Sequence, residues 1–363
     1  MKRYIYAYKS PYGQPKLSIE LEIFNRNRII GIYQIFDGIK EYRSLFKYED
    51  YAHLSKDFHL YPLENNTFKK CIFCHKTSDD VDFEKHPHVI PYLLGNHFLL
   101  HYEECDDCNK HFGETLESEL DKYFKPYRTL NRLKNRKGNL INTNFNKNRS
   151  FKFDENQNKF MIQLQEDEFN LNYDSNKVTI DFKQEKYTPV QVYKAFMKIF
   201  FGLLPRDHLH KFEHLRKWII NKDQNKKIFS PLTVIKTRLD GFTKTPLDVS
   251  ILYKKVSSLD EFKTTLPIKE NFEYLGYIRF ANVVLEIPIF SDLVFEKFKV
   301  MKDSGMKLEF SFPYIPKPGY PTNNELVDFS ETRQIKSKEQ IFFSYDGVIE
   351  KRLVSKSDFK NEG

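Results

Sequence analysis

Hydrophobic and polar positions alternate near the start of the chain. Ile19, Leu21 and Ile23 are separated by Glu20 and Glu22, the two-residue period of a strand with one face buried. A second apolar run, 29–36, ends at Asp37-Gly38, a turn signal. Residues 1–68 are therefore predicted to be a β-rich N-terminal segment. The period then changes. Phe112, Leu116, Leu120 and Phe124 recur every four residues among acidic neighbours, which predicts an amphipathic helix stopped at Pro126. Short apolar runs at 160–164 and 178–182, with a turn at Asp174-Ser175-Asn176, predict strands. A helix pair follows. Thr188 is the expected N-cap, Pro189 the first helical residue, and Gln191 closes a capping box. Val192, Phe196, Ile199 and Leu203 form its apolar stripe, Pro205 breaks it, and Leu209, Phe212, Leu215, Trp218 and Ile219 stripe the second helix. Beyond Phe229 strands return, notably at 274–280 and 283–290. The tail after Ser355 is polar and reads as a frayed end. The pattern is that of an α+β chain: a β-rich segment at 1–68, a central module at 69–138, and a larger α+β region at 139–363 without internal repeats.

Composition agrees with this division. The chain has 363 residues, 40% hydrophobic and 30% charged, which excludes whole-chain disorder and suits two or three domains. Aromatic residues reach 16%, with 34 Phe and 22 Tyr, as expected of dense, strand-rich cores. No apolar run approaches the length of a spanning helix. The first residues, Met1 to Tyr6, do not lead into an export signal, so the expected location is the cytoplasm, away from membranes. The net charge is +8, and its source is local. Residues 122–153 hold ten basic residues and no Asp or Glu. They are also rich in Asn, with Gly138 among them, and read as a loop or extended arm. Lys125, Arg128, Arg132, Lys134, Arg136 and Lys137 are its candidate phosphate contacts. Tyr123, Phe124 and Tyr127 either stack on bases or pack internally. The plainer reading of the whole arm is a solvated loop.

The chemistry concentrates in the central module. All four cysteines fall between positions 71 and 108, as Cys71-x2-Cys74 and Cys105-x2-Cys108. Two such knuckles supply the four thiolates of a tetrahedral zinc site. Four protein ligands leave no open position, so this Zn2+ is structural. Six of the eleven histidines also lie here: His75, His86, His88, His97, His101 and His111. His210 and His214, four apart on the second helix, lack a third ligand and read as a solvated face.

Between and after the knuckles run His88-Val89-Ile90-Pro91, then Leu94-Gly95-Asn96, then Cys105-Asp106-Asp107-Cys108-Asn109, then Phe112-Gly113 and an acidic helix. This combination resembles the HNH (ββα-metal) endonucleases, in the bacterial branch with two CxxC zinc knuckles framing the site. The likeness covers residues 71 to about 138. It implies that His88 is the general base activating a water, and that Asn109 is a ligand of a catalytic divalent ion, Mg2+ or Mn2+. The family places a further ligand immediately before the base, where this chain has Pro87. His86, two residues from His88 and on the same side of a strand, is the substitute. His97, His101 and His111 are expected bystanders, and Glu114 and Glu117 are expected to complement a helix N-terminus. The Asn that ties the hairpin loop in this family has no evident counterpart at the usual spacing, near Leu100 and His101.

The resemblance implies a divalent-metal-dependent endonuclease acting on nucleic acid, double-stranded DNA first, and leaving 5′-phosphate and 3′-hydroxyl ends. By analogy of architecture it suggests a bacterial or phage-defence setting. Two rivals remain open: a zinc-stabilised nucleic-acid-binding protein whose catalytic site has decayed, supported by Pro87, and an HNH nuclease that cleaves RNA.

Overall fold

The computed structural model describes residues 69–146, 149–156, 158–163, 169–172, 177–228, 230–239, 247–254, 269–297, 308–313 and 321–344, with strands at 3–7, 18–22, 31–36 and 42–47. The turns expected at Asp37-Gly38 and 174–176 and the tail beyond Ser355 lie outside these residues.

The centre of the molecule is a six-stranded antiparallel sheet. Its strands are β1 (Tyr42–Lys47), β2 (Thr233–Leu239), β3 (Leu247–Lys254), β4 (Tyr274–Phe280), β5 (Val283–Ile289) and β6 (Pro321–Asp328). Their order is β6-β2-β5-β4-β3-β1. β4 and β5 form a tight hairpin in which Phe280 faces Val283. Strands β2, β4 and β5 are buried along their whole length. Burial on both faces explains why 283–289 reads as a near-continuous apolar run and not as an alternation. Of the strands in 1–68, Arg3–Ala7 and Ser18–Glu22 pair with each other, and the later two pair outside the segment. Gly31–Phe36 runs parallel to Leu308–Pro313, and β1 joins β3.

Helices α1 (Asp106–Glu114) and α2 (Leu116–Leu130) follow the second cysteine pair. The single helix predicted around 112–126 is therefore two, and it starts earlier. Cys105 is the extended N-cap of α1, so Glu114 ends that helix instead of complementing its N-terminus. The break falls at Thr115, whose hydroxyl donates to His111 O at 2.6 Å, the side-chain competition for backbone acceptors that weakens helix interiors. Pro126 does not stop α2, which continues to Leu130. The hydrogen bond lost at Pro126 is offset by tertiary burial of Phe124, Tyr127 and Leu130, which overrides local propensity. The first third of the expected basic arm is therefore helix. A β-hairpin, Thr143–Asn146 with Arg149–Asp154, follows the loop at 131–142.

α3 (Pro189–Leu203) is the hinge of the architecture. Of its fifteen residues only Gln191 is not buried, so it is covered on every side and not only along the predicted stripe. Towards the sheet, Tyr193 OH donates to Pro288 O at 2.7 Å, and Phe200 lies over Gly276. A Cβ at Gly276 would come 2.1 Å from that ring. Towards the central module, α3 packs on α2 through Phe196, Tyr123 and Phe124. Thr188 is the N-cap and Pro189 the first residue, as predicted, but the capping box is absent. Gln191 bonds Asn225, and the Glu119 carboxylate of α2 accepts the Thr188 N–H instead. The second helix of the pair is fragmented into α4 (Arg206–Leu209), a 3-10 turn at His210–Phe212, and α5 (Glu213–Ile219). One apolar core extends from Cys71 through α3 to Phe329. Among the described residues, no helix is long and apolar enough to cross a membrane.

Candidate active site

The first knuckle is a hairpin tip. Lys70 and Thr77 pair, Cys71 N donates to Lys76 O, and His75 takes a left-handed φ of 64° to close the turn. The second knuckle is the start of α1, with Cys105 at its N-cap and Cys108 in its first turn. None of the four thiols forms a disulfide, and all four Sγ atoms lie within 4.8 Å of one another. Cys74 Sγ and Cys105 Sγ are 3.7 Å apart. Tetrahedral Zn–S bonds of about 2.3 Å require S···S edges of about 3.8 Å, so the donor set fits Zn2+. Four anionic sulfurs this close repel one another unless a cation sits among them. Without the cation, hydrogen bonding from Cys108 holds the Cys71 thiol down while burial pushes Cys105 up.

The knuckles frame a short hairpin whose two strands meet at the His88–Leu100 bridge. Val89 N donates to Leu99 O, and His101 N to Pro87 O. The loop between them is closed by Asn96, which is fully buried. Its Nδ2 donates to Ile90 O at 2.7 Å and Leu99 O at 3.0 Å, and its Oδ1 accepts Leu99 N at 2.8 Å and Phe98 N at 3.2 Å. This is the loop-tying Asn for which the sequence spacing gave no position. Its signal was the Gly95-Asn96 pair, with Gly95 at φ 95°. Replacing Asn96 by Ala would orphan several buried backbone groups and is expected to cost about 3 kcal/mol. Urea unfolding followed by zinc release checks this.

The hairpin, α1 and α2 enclose a cleft of about 230 Å³, lined by Lys85, His86, Pro87, His88, Tyr92, Asn109, Glu117 and Arg136. The three residues expected at a catalytic centre, His88, His86 and Asn109, thus share one cavity. His86 is exposed, Pro87 is buried and His88 is half-buried. Burial, and next the charge of Arg136, lower the His88 pKa to about 4, so its imidazole is neutral at physiological pH and able to accept a proton. Its ring meets Tyr92 edge-on at 5.7 Å. Asn109 lies within α1, one turn after the N-cap, because Cys108 and Asn109 belong to the helix itself. Glu117, in the first turn of α2, brings a carboxylate that helix-end reasoning from the sequence did not assign to the cleft.

None of the expected bystanders lines it. His101 is completely buried against Phe73, and burial lowers its pKa to about 3. His111 contacts Gln224 at 2.9 Å. His97 lies close to the cleft: its ring meets Tyr92 edge-on at 4.4 Å and its backbone hydrogen-bonds the His88 imidazole. His210 and His214 are exposed, and His214 contacts Asp292 at 2.9 Å.

The basic set divides. Arg128 is buried and paired with Asp121, and Lys125 is paired with Glu185. Both sit on α2, where the helix turns them towards acidic neighbours, and the buried Arg128 leaves little surface for a phosphate. Tyr123 and Tyr127 are buried core residues, not stacking platforms. Arg132, Lys134, Arg136 and Lys137 lie on the 131–142 loop and are exposed. Of these, Lys134 pairs with Glu155 at 2.9 Å, Arg132 covers the Phe153 ring at 5.1 Å, and Arg136 covers Tyr92 at 5.5 Å on the wall of the cleft.

Residues 71–125 match the HNH endonuclease family. The matched HNH segment contains both knuckles, the Asn96-tied hairpin, α1 and most of α2. It supports a nuclease at the level of the family, with nucleic acid as the class of substrate. No curated protein and no solved structure matches the chain.

Proposed function

We propose that the protein is a divalent-metal-dependent endonuclease that hydrolyses phosphodiester bonds, with duplex DNA as the first substrate to test. The observation that carries this reading is the single cleft shared by His88, His86, Asn109 and Arg136 inside the HNH segment. The Asn109 carboxamide oxygen, the His86 imidazole and the Glu117 carboxylate suit a hard or borderline divalent cation. When bound, such an ion stabilises negative charge on the phosphate and on the leaving oxygen.

The chain's own groups account for the rest. Neutral His88 accepts the proton of a water directed at phosphorus. Arg136 and Lys85 draw the phosphate into the cleft. A phosphate against Arg136 also neutralises part of the charge that depresses the His88 pKa, which strengthens the base once substrate is present. Tyr92 holds both His88 and Arg136 in place through their ring contacts. The zinc site plays no chemical part and fixes the hairpin against α1.

The test is nicking of supercoiled plasmid with Mg2+ or Mn2+, with single-stranded RNA assayed in parallel. Cleavage of the plasmid supports the reading. Cleavage of RNA alone moves the substrate, and binding without cleavage under any metal replaces the enzyme by a binding module. The last outcome has one specific observation in its favour, because Pro87 offers no ligand. A second expectation concerns Arg136, whose exposed guanidinium makes no acidic contact in the described structure. Arg136→Ala is expected to weaken nucleic-acid binding and to reduce the slope of log affinity against log salt by about 1. Fluorescence anisotropy titrations at several salt concentrations measure it.

A further inference from the structure

Beneath the cleft lies a charge that the HNH segment does not contain. Lys198 belongs to α3, 110 residues after His88, and its side chain is only 3% exposed. Its ammonium lies 3.1 Å from the Glu104 carboxylate, which is itself 1% exposed, and 3.9 Å from Glu117. It donates to the main-chain oxygen of His88 at 3.4 Å and rests over the Phe112 ring of α1 at 5.5 Å. One cation therefore reaches the strand that carries His88, the residue before the third cysteine, and the cleft-lining carboxylate of α2. One turn earlier on the same helix, buried Lys194 donates to Gln224, which contacts His111 of α1. The Cβ position of Gly202, one turn later, lies 3.2 Å from Val89 and 3.5 Å from His101. Successive turns of α3 thus meet both walls of the hairpin-helix unit.

We infer that Lys198 is a positioning residue of the candidate nuclease site, holding the His88 backbone and the Glu117 carboxylate at their places from outside the matched segment. This rests on the nuclease reading for its catalytic consequence, though not for its structural one. A buried ammonium needs partners, and two of those present here, His88 and Glu117, line the cleft. Glu104 is its nearest carboxylate, at 3.1 Å. The remaining contacts, to His88 O and Glu117, fix the two cleft elements relative to each other. Groups that orient a reacting side chain through its backbone influence rate more than affinity, because a small misplacement is felt in the transition state. The α+β region beyond residue 139 would then be part of the enzyme and not an appended recognition unit.

Lys198→Met alone leaves Glu104 buried without its cation and is expected to lose stability. The decisive comparison is therefore wild type, Lys198→Arg and the double variant Lys198→Met with Glu104→Gln, which removes both charges together. Each full-length protein is measured for zinc content, melting temperature, single-turnover cleavage at saturating and sub-saturating protein, and hydrogen exchange of peptides spanning 86–101. The inference expects the double variant to keep zinc and melting temperature, to cleave about 10–100-fold more slowly at saturation with half-saturation little changed, and to exchange faster at 86–101 only. Lys198→Arg should recover most of the rate. A double variant that cleaves at the wild-type rate, or a loss that follows the unfolded fraction, overturns it. Should wild type cleave nothing, the nuclease reading fails separately. Exchange at 86–101 then decides the inference: faster there alone upholds the anchoring role, and unchanged exchange ends it.

Discussion

Replacing His88 by Ala is expected to lower the cleavage rate by about 10²–10⁴-fold, the range that loss of a general base produces. Zinc content and nucleic-acid affinity should be unchanged. The structure makes this substitution a clean one. The hairpin is paired through the main chain of Pro87, Val89, Leu99 and His101, and Lys198 anchors the carbonyl of His88 and not its ring. The side chain itself is half-buried against Tyr92, so its removal leaves a small, partly open space. Two other groups in the cleft can take a proton, His86 and Glu117. His86→Ala therefore separates the roles. As a cation ligand, His86 should show a defect that higher Mn2+ concentrations partly reverse, whereas the defect of His88→Ala should persist at every metal concentration. A His88→Ala protein that cleaves at the wild-type rate would assign the base elsewhere in the cleft.

The second large effect concerns the sulfur cluster. Cys108→Ser is expected to abolish stoichiometric zinc binding and to unfold the HNH segment. Structural zinc contributes about 10–16 kcal/mol in small domains, against a net stability of about 5–15 kcal/mol for a whole protein, so the segment has no reserve to survive the loss. The geometry adds a reason. The first knuckle is built on a short hydrogen-bonded turn and the second on the start of α1, and α1 and α2 lean on the core through Phe112, Leu116 and Phe124. Without a cation, four thiols within 4.8 Å no longer tie the first knuckle to the helix, which leaves that role to the Phe73–Phe112 ring contact and the bond from Ile72 N to Glu103 O. Elemental analysis should give one zinc per wild-type chain and none in the variant. Limited proteolysis should then cut the variant within 71–105 while sparing the buried strands of the sheet. A variant that resists proteolysis and still unfolds as one unit would show that packing against α3 suffices without metal.

Much of this site is legible in the residues. The two CxxC pairs predict one four-sulfur cluster because so tight a spacing admits few alternatives, and the i, i+2 relation of His86 and His88 predicts that both reach the same side. Asn109 comes from the family resemblance, which places a ligand directly after the last cysteine. Other features were hidden for physical reasons. Asn96 ties its loop from nine residues before Cys105, a distance set by the length of the loop and by no local pattern. Glu117 reads as a helix-end carboxylate and is one, yet the kink at Thr115 also turns it to the cleft. The fate of Arg128 depended on whether α2 would pass through Pro126, and tertiary burial decided that. Lys198 carries no sequence signal at all. A lysine among apolar residues on a helix reads as an edge of the stripe, and only the stacking of α3 between sheet and hairpin brings it beneath His88. The same burial explains why strands β4 and β5 were readable as elements while their order in the sheet was not.

The central claim is that a divalent cation, a phosphodiester and His88 meet in one cleft. Crystals of the His88→Ala protein with a DNA duplex and Mn2+, measured for anomalous scattering, test it most directly. The account requires a manganese peak in the cleft bonded to the Asn109 side-chain oxygen and to a phosphate oxygen, with the methyl of the substituted residue facing the phosphorus. A duplex seated elsewhere on the protein, or manganese bound away from Asn109, would contradict it.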